Sequence, residues 1–487
     1  MNASRLFGSI LALALLAMPA LSGTFFHLSG GRLLVPASPV LNPNRLAGNA
    51  AGNVIDAASC SQADVQAAID SASESDTVMV PAGNCTWSDS VSWTNKNITV
   101  RGAGKDVTTI HCPACFSITS DSATSAYSHW RLSNMTLQGP SPSGIVITIW
   151  DNVSSWHYGW RIDHLKLNYP GAGSGYGIFI GGATYGVIDN NDWIWGGGLA
   201  IIVAGQMSDE WPGSATHPQG GYLLSQPLDL GTNKAVYIED NTFVGSAPGG
   251  MAAYDTSSGG GRAVFRYNTV TGGIYYSHWT RNREVGGILH EIYHNKFVGN
   301  SNFNAYPIRL EAGTGVIFNN TVQNFSGSHA VLDERRGFFE SDGDFGACDG
   351  TKLWDGNAGD PAAPGWPCLG QIGRAPGKTI AQIMTGDKQA SAPIYLWNNG
   401  AQDGCRTGGF CTDSFGVDVW DGSTVAKAYI KPVPHPNGEV DYVLNGSTSK
   451  PGYVPFIYPH PLRTDGTPTH FVFLPVVITS DLGSPIE

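Results

Sequence analysis

The sequence predicts an all-β fold: a single-stranded right-handed parallel β-helix (solenoid) with an N-terminal capping helix and long loop insertions. Three observations predict it. One short motif recurs at a spacing near 25 residues, as in Val264-Phe-Arg-Tyr-Asn268-Thr-Val270 and Glu291-Ile-Tyr-His-Asn295-Lys-Phe297. Charged residues make up only 14% of the chain, against roughly a quarter in ordinary globular proteins. The 63 glycines supply tight corners, whereas helical repeats need more Glu, Lys, Leu and Ala.

The repeat sets the architecture. Further copies are Val187-Ile-Asp-Asn-Asn191-Asp-Trp193, Tyr237-Ile-Glu-Asp-Asn241-Thr-Phe243, Val316-Ile-Phe-Asn-Asn320-Thr-Val322 and Tyr395-Leu-Trp-Asn-Asn399. Two earlier segments keep the frame with Met135 or Leu165 in place of Asn. From residue 135 onward the steps are 30, 26, 50, 27, 27 and 25 residues. Such a period, with short β-like runs between glycines, fits a parallel β-helix coil; leucine-rich repeats have another pattern and propeller blades are longer. The step of 50 is two coils or one coil with an insertion, and the segment opening Gln206-Met-Ser-Asp-Glu-Trp211 favours the insertion. Asn at a corner tolerates the left-handed backbone region, and stacked Asn amides bond to their neighbours above and below.

The elements follow in order. Arg5, the apolar run Ile10 to Leu16 and the small residues up to Gly23 read as a secretory signal peptide over residues 1–22, cut after Ser22. An uncleaved anchor is the alternative, although the run is short for a bilayer. No other stretch is long and apolar enough to span one. The expected location is extracellular, periplasmic or cell-surface, and the expected state a monomer. Residues 23–55 form an N-terminal extension. Ser61 caps a helix with Val65, Ala68 and Ile69 on one face, the cap a solenoid needs over its open core. Strands follow at 76–83 and 98–104, and the β-helix domain runs over 56–425, with insertions near 206–232 and 341–390. Residues 426–487 form an extended tail, with three prolines between Tyr453 and Leu462, packed outside the stack. After a signal peptide, eight cysteines favour disulfides; proximity suggests Cys60–Cys85, Cys112–Cys115, Cys348–Cys368 and Cys405–Cys411.

Function classes narrow on charge. Thirty-nine acids against 27 bases give −12, with no basic run, so nucleic acid is excluded as a partner. An acidic surface can still hold a polyanion through bridging Ca²⁺. Side chains one period apart stack into rows about one strand spacing apart. One such row is rich in charge: Tyr254-Asp255, then His278 to Glu284, then Arg309-Leu310-Glu311, then Asp333-Glu334-Arg335-Arg336. As a cleft it would bind an acidic polysaccharide. His278, Arg281, Arg283 and Arg309 are the candidate catalytic residues. Tyr254, Trp279, Glu311, Asp333, Glu334 and Arg335 are the candidate substrate contacts. The alternative is a row of ion pairs on the outer wall.

The helix-then-strand entry and Trp160-Arg-Ile-Asp163-His164 resemble the pectate-lyase-like superfamily of right-handed parallel β-helix proteins, as does the segment Arg281, Arg283, His290 and Asn295. The resemblance implies a polysaccharide lyase that cleaves a uronate-containing polymer by β-elimination. It implies Arg281 or Arg283 as the base, and Asp163 and Asp192 as Ca²⁺ ligands. Polygalacturonase-like hydrolases need clustered acids; Asp189, Asp192 and Asp240 are present, but the adjacent Asp pair and the Gly-His-Gly pattern are not. A hydrolase therefore ranks below a lyase. A non-catalytic carbohydrate-binding or adhesion solenoid stays open, because one fold hosts all three functions.

Overall fold

The computed structural model describes residues 52–120, 129–151, 157–182, 184–204, 227–256, 260–278, 286–334, 372–375, 377, 390–401, 417–421, 440–444 and 447–464. Apolar residues alternate along each short strand, which leaves one face to bury. The strands bury it by coiling. Each coil contributes one strand to each of three parallel sheets, as with His157–Asp163, Lys166–Tyr169 and Tyr176–Gly181, before Thr184–Asp189 reopens the cycle. Among the described residues sheet 1 holds twelve strands, and sheets 2 and 3 hold ten each. The chain is a right-handed parallel β-helix.

Inside, like stacks on like. In sheet 1 Val100, Leu132, Ile162, Ile188, Ile238, Phe265, Ile292, Ile317 and Leu396 form one fully buried column, each in register with the next. Burying each such side chain stabilises by about 1.5–3 kcal/mol. The single helix among the described residues, Gln62–Ser71, begins where the Ser61 side chain accepts the Asp64 N–H, and it buries Val65, Ala68 and Ile69.

The Asn ladder lies at the corner between sheets 1 and 2. Asn191, Asn241, Asn268, Asn295, Asn320 and Asn399 are joined, each side-chain amide donating to the next side-chain oxygen at 2.9–3.1 Å. Each oxygen also accepts the backbone N–H of the preceding ladder residue, so the corner leaves few buried groups without a bond. One expectation is corrected. The left-handed residue is the one before the ladder Asn: Asn190, Asp240, Tyr267, His294, Asn319 and Asn398 have φ between 51° and 58°. The ladder Asn itself is freed for stacking.

The 50-residue step is a single coil, since Val187 pairs directly with Tyr237. The next long step, from Asn320 to Asn399, is also one coil. The solenoid outruns its expected limits of 56 and 425. Val54–Asp56 opens sheet 1, and Tyr442–Leu444, placed by sequence in the tail, closes it. A sheet edge with unpaired backbone groups recruits whatever strand can reach it. Residues 453–464 then run over the outer face of sheet 1, where Tyr453, Phe456 and Leu462 pack on Tyr237, Val264, Tyr293 and Phe318. Disulfides join Cys60 to Cys85 and Cys112 to Cys115, with Cα separations of 5.8 and 5.4 Å. Cys348, Cys368, Cys405 and Cys411 lie outside the described residues, as do the signal-peptide residues and most of both insertions. No described helix is long and apolar enough to cross a membrane.

Candidate active site

The charged row sits at the outer end of sheet 3, on strands Met251–Tyr254, Gly273–Ser277, Ile308–Leu310 and Ala330–Glu334. Alternation decides what faces outward. Tyr275 and Ser277 point into the core beside Ile308 and Leu310, so Tyr276 stands outside, in register with Arg309. His278 follows at the strand end, with its side chain 27% exposed.

These groups form one network. His278 Nδ1 lies 2.7 Å from a carboxylate oxygen of Asp255, which is fully buried. Burial pushes the Asp255 carboxyl above its usual range, opposed by its bond to His278. The Tyr276 and His278 rings are 4.3 Å apart, and the Tyr276 hydroxyl donates to Glu311 at 2.7 Å. Burial and then the Glu311 charge hold the phenol well above its usual pKa, so it keeps its proton. Arg309 donates to Glu311 at 2.8 Å and to Asp333, and its guanidinium lies over the Tyr276 and Tyr306 rings at 5.5 and 5.8 Å. Burial works against the Arg309 charge, but Glu311, Tyr276 and Asp333 together outweigh it, and Arg309 stays charged.

Several expectations change. Tyr254 is no sugar platform. It is fully buried and stacks on Tyr275 at 4.5 Å inside the coil. A bulge shifts the register between Ala252 and Tyr254 and turns Tyr254 inward. Arg309, Glu311 and Asp333 lie together as a buried ion-pair cluster in which Arg309 is held between two carboxylates. Trp279, Arg281, Arg283 and Arg335 lie outside the described residues, and Glu334 is placed only by its backbone. Asp163 and Asp192 do not form a Ca²⁺ site. Asp163 is fully buried and taken by Arg131 at 2.6 and 2.8 Å and by His164 at 2.6 Å, while Asp192 pairs with Lys105 on sheet 2. Among the described residues no three His, Cys, Asp or Glu side chains converge on a metal position. The described donor set does not fit the ion, and no chemical step is derived through it.

Two neighbours were not singled out by sequence. Tyr276 could have been found from alternation, because it lies two residues before His278 on the same face. Tyr306 carries no such signal, since it lies in the irregular approach to its strand.

No model of a known protein family matches the chain, and no curated protein matches it. Solved structures of similar architecture do exist. An alginate lyase from Paenibacillus sp. str. FPU-7 is 12% identical over 81% of this chain and 99% of its own, with a TM-score of 0.36. The PL6 family polysaccharide lyase Pedsa3628 from Pseudopedobacter saltans is 15% identical over 83% and 94%, with a TM-score of 0.33. The catalytic domain of a GH87 α-1,3-glucanase in complex with nigerose is 11% identical over 85% and 70%, with a TM-score of 0.30. This chain spans about half, 54%, of the PL6 family alginate lyase AlyGC, to which it is 14% identical with a TM-score of 0.33. At these scores the likeness carries no argument about chemistry, and the fold rests on the strand pairing above.

With Nδ1 donating to Asp255, the His278 lone pair sits on Nε2. A carboxylate-oriented imidazole beside a protonated phenol can take a proton and return it.

Proposed function

We propose that the protein is a carbohydrate-active enzyme, a polysaccharide lyase that cleaves a uronate-containing polymer by β-elimination at the outer end of sheet 3. One observation carries this reading: the partly exposed His278 is held by the buried Asp255 and flanked by Tyr276, whose ring Arg309 covers in turn. His278 replaces arginine as the proposed base. Its Nε2 removes the proton next to the uronate carboxylate. The electron pair forms the ring double bond, the glycosidic C–O bond breaks, and the imidazolium returns the proton to the departing oxygen. Tyr276 keeps its proton, orders Glu311 and supports the His278 ring. Arg309 ties Glu311 to Asp333 and holds the wall in place. The sequence puts Arg281 and Arg283 within five residues of His278, and they are the proposed cations for the substrate carboxylate. The reading implies an acidic polysaccharide partner and an exported, monomeric chain.

The test is an ultraviolet screen for unsaturated products on pectate, alginate and glycosaminoglycans, with and without added Ca²⁺. The expected result is a rise in absorbance on at least one polymer, lost in His278→Ala. Silence on all of them overturns the lyase reading. New reducing ends without an absorbance rise would mark a hydrolase, and binding without cleavage an adhesion solenoid.

A further inference from the structure

The outward row of sheet 1 is a ladder of alternating charge. Asp163 accepts from Arg131, Asp189 from Arg161 at 2.8 Å on both oxygens, and Glu239 from Arg266 at 2.6 Å. Arg463 of the tail closes over Asp189, Glu239 and Asp240. Toward the N-terminal coils the pattern breaks. Arg101, in register with Ser133, is exposed, and its side chain makes no hydrogen bond or ion pair among the described residues. Beside it, Arg131, Asn134 and His164 line a cavity of about 550 Å³. His164 is 46% exposed, with Nδ1 bound to Asp163, which turns Nε2 away from that carboxylate. Two guanidinium groups and an imidazole thus line one cavity, in which Asp163 holds Arg131 and His164 and leaves Arg101 without a carboxylate, in a protein whose net charge is −12.

We infer that this cavity is a second saccharide-binding site, taking a carboxylate- or sulfate-bearing sugar of an acidic polysaccharide through Arg101, with Arg131, fixed on Asp163, adding positive charge to the wall. The Arg101 guanidinium fork matches the planar oxygens of such groups, and the Asn134 amide suits ring hydroxyls. The volume argues for a sugar over a bare anion, since it falls in the range that holds a whole small ligand. The site is distinct from the reacting row: it lies on sheet 1 near the corner with sheet 2, and the row lies on sheet 3. It would hold a long polymer along the solenoid while another stretch meets His278. The inference rests on the proposed uronate polymer only in the choice of probes.

The experiment titrates the full chain carrying His278→Ala, so that probes survive, with a galacturonate tetrasaccharide, a heparin tetrasaccharide, neutral cellotetraose and sodium sulfate. Arg101→Ala is expected to weaken binding of at least one charged tetrasaccharide by about tenfold, and Arg101→Glu by more. Rising salt should weaken binding in the parent and less so in either variant. Unchanged affinity in both variants overturns the inference. So does equal binding of cellotetraose, or Arg101-dependent binding of sulfate alone. A wild-type chain that binds through Arg101 but cleaves nothing would sink the lyase reading and leave this site standing.

Discussion

His278 and Asp255 show how one contact sets chemistry at the residue scale. The carboxylate is buried and the imidazole partly exposed, so the pair faces a substrate from one side only. His278→Ala should lower kcat by about 100-fold or more, the usual weight of a general base. Asp255→Asn should lower kcat with little change in KM, because it disturbs the tautomer and leaves the surface intact. Steady-state kinetics on the polymer found in the screen checks both. A second histidine acts on stability. His290 is fully buried, its Nδ1 lies 2.8 Å from the Tyr275 hydroxyl, and burial lowers its pKa to about 4. Below about pH 6.5 the unfolded chain binds a proton that the folded His290 refuses. Its contribution is therefore fully present above pH 6.5 and is lost as pH falls towards 4, on the order of 3 kcal/mol in all. His290→Gln should flatten the fall in melting temperature across that window, read by calorimetry; an unchanged slope would assign the acid sensitivity elsewhere.

At the scale of elements the Asn ladder is the main test. Asn295 is buried, donates to Asn320 and Phe265, and accepts from Asn268 on both backbone and side chain. Asn295→Ala strands several buried groups at once and should cost about 3 kcal/mol, since each lost partner costs about 1–3. Asn399, half-buried at the end of the ladder, should cost about 1 kcal/mol or less. Urea unfolding of the two variants compares them, and equal losses would contradict a cooperative ladder. The ladder was legible because its residue type repeats at one position. The left-handed residue beside it was not, because that position varies from Asn to His to Tyr267. Tyr254 was misjudged for a related reason: the bulge after Ala252 inverts the alternation on which any inside-outside reading depends.

At the scale of the whole molecule the tail is a structural strap. Arg266 donates to the carbonyls of Phe456 and Ile457, Tyr453 donates to Glu291, and Arg463 faces three carboxylates. Arg463→Ala would leave Asp189, Glu239 and Asp240 short of a cation and should cost roughly 3 kcal/mol at neutral pH. Burial holds the Asp189 carboxyl above its usual range, and protonating it relieves part of the deficit, so the gap to wild type should shrink as pH falls from 7 towards 4. Melting curves at three pH values measure it, and a gap that widens in acid would refute the strap's electrostatic role.

By itself the sequence determined the coil period, the Asn corner, the capping helix, two disulfides and the segment of chain where charge gathers. Each of these follows from local residue type or from a fixed period, which survives without knowing the fold. Only the tertiary structure decided partners: that Asp163 belongs to Arg131, that Asp255 orients His278, and that Arg463 closes on carboxylates more than 220 residues away. Those pairings depend on bulges, insertions of unequal length and a returning tail. Each of them shifts which side chains share a face without leaving a period in the chain.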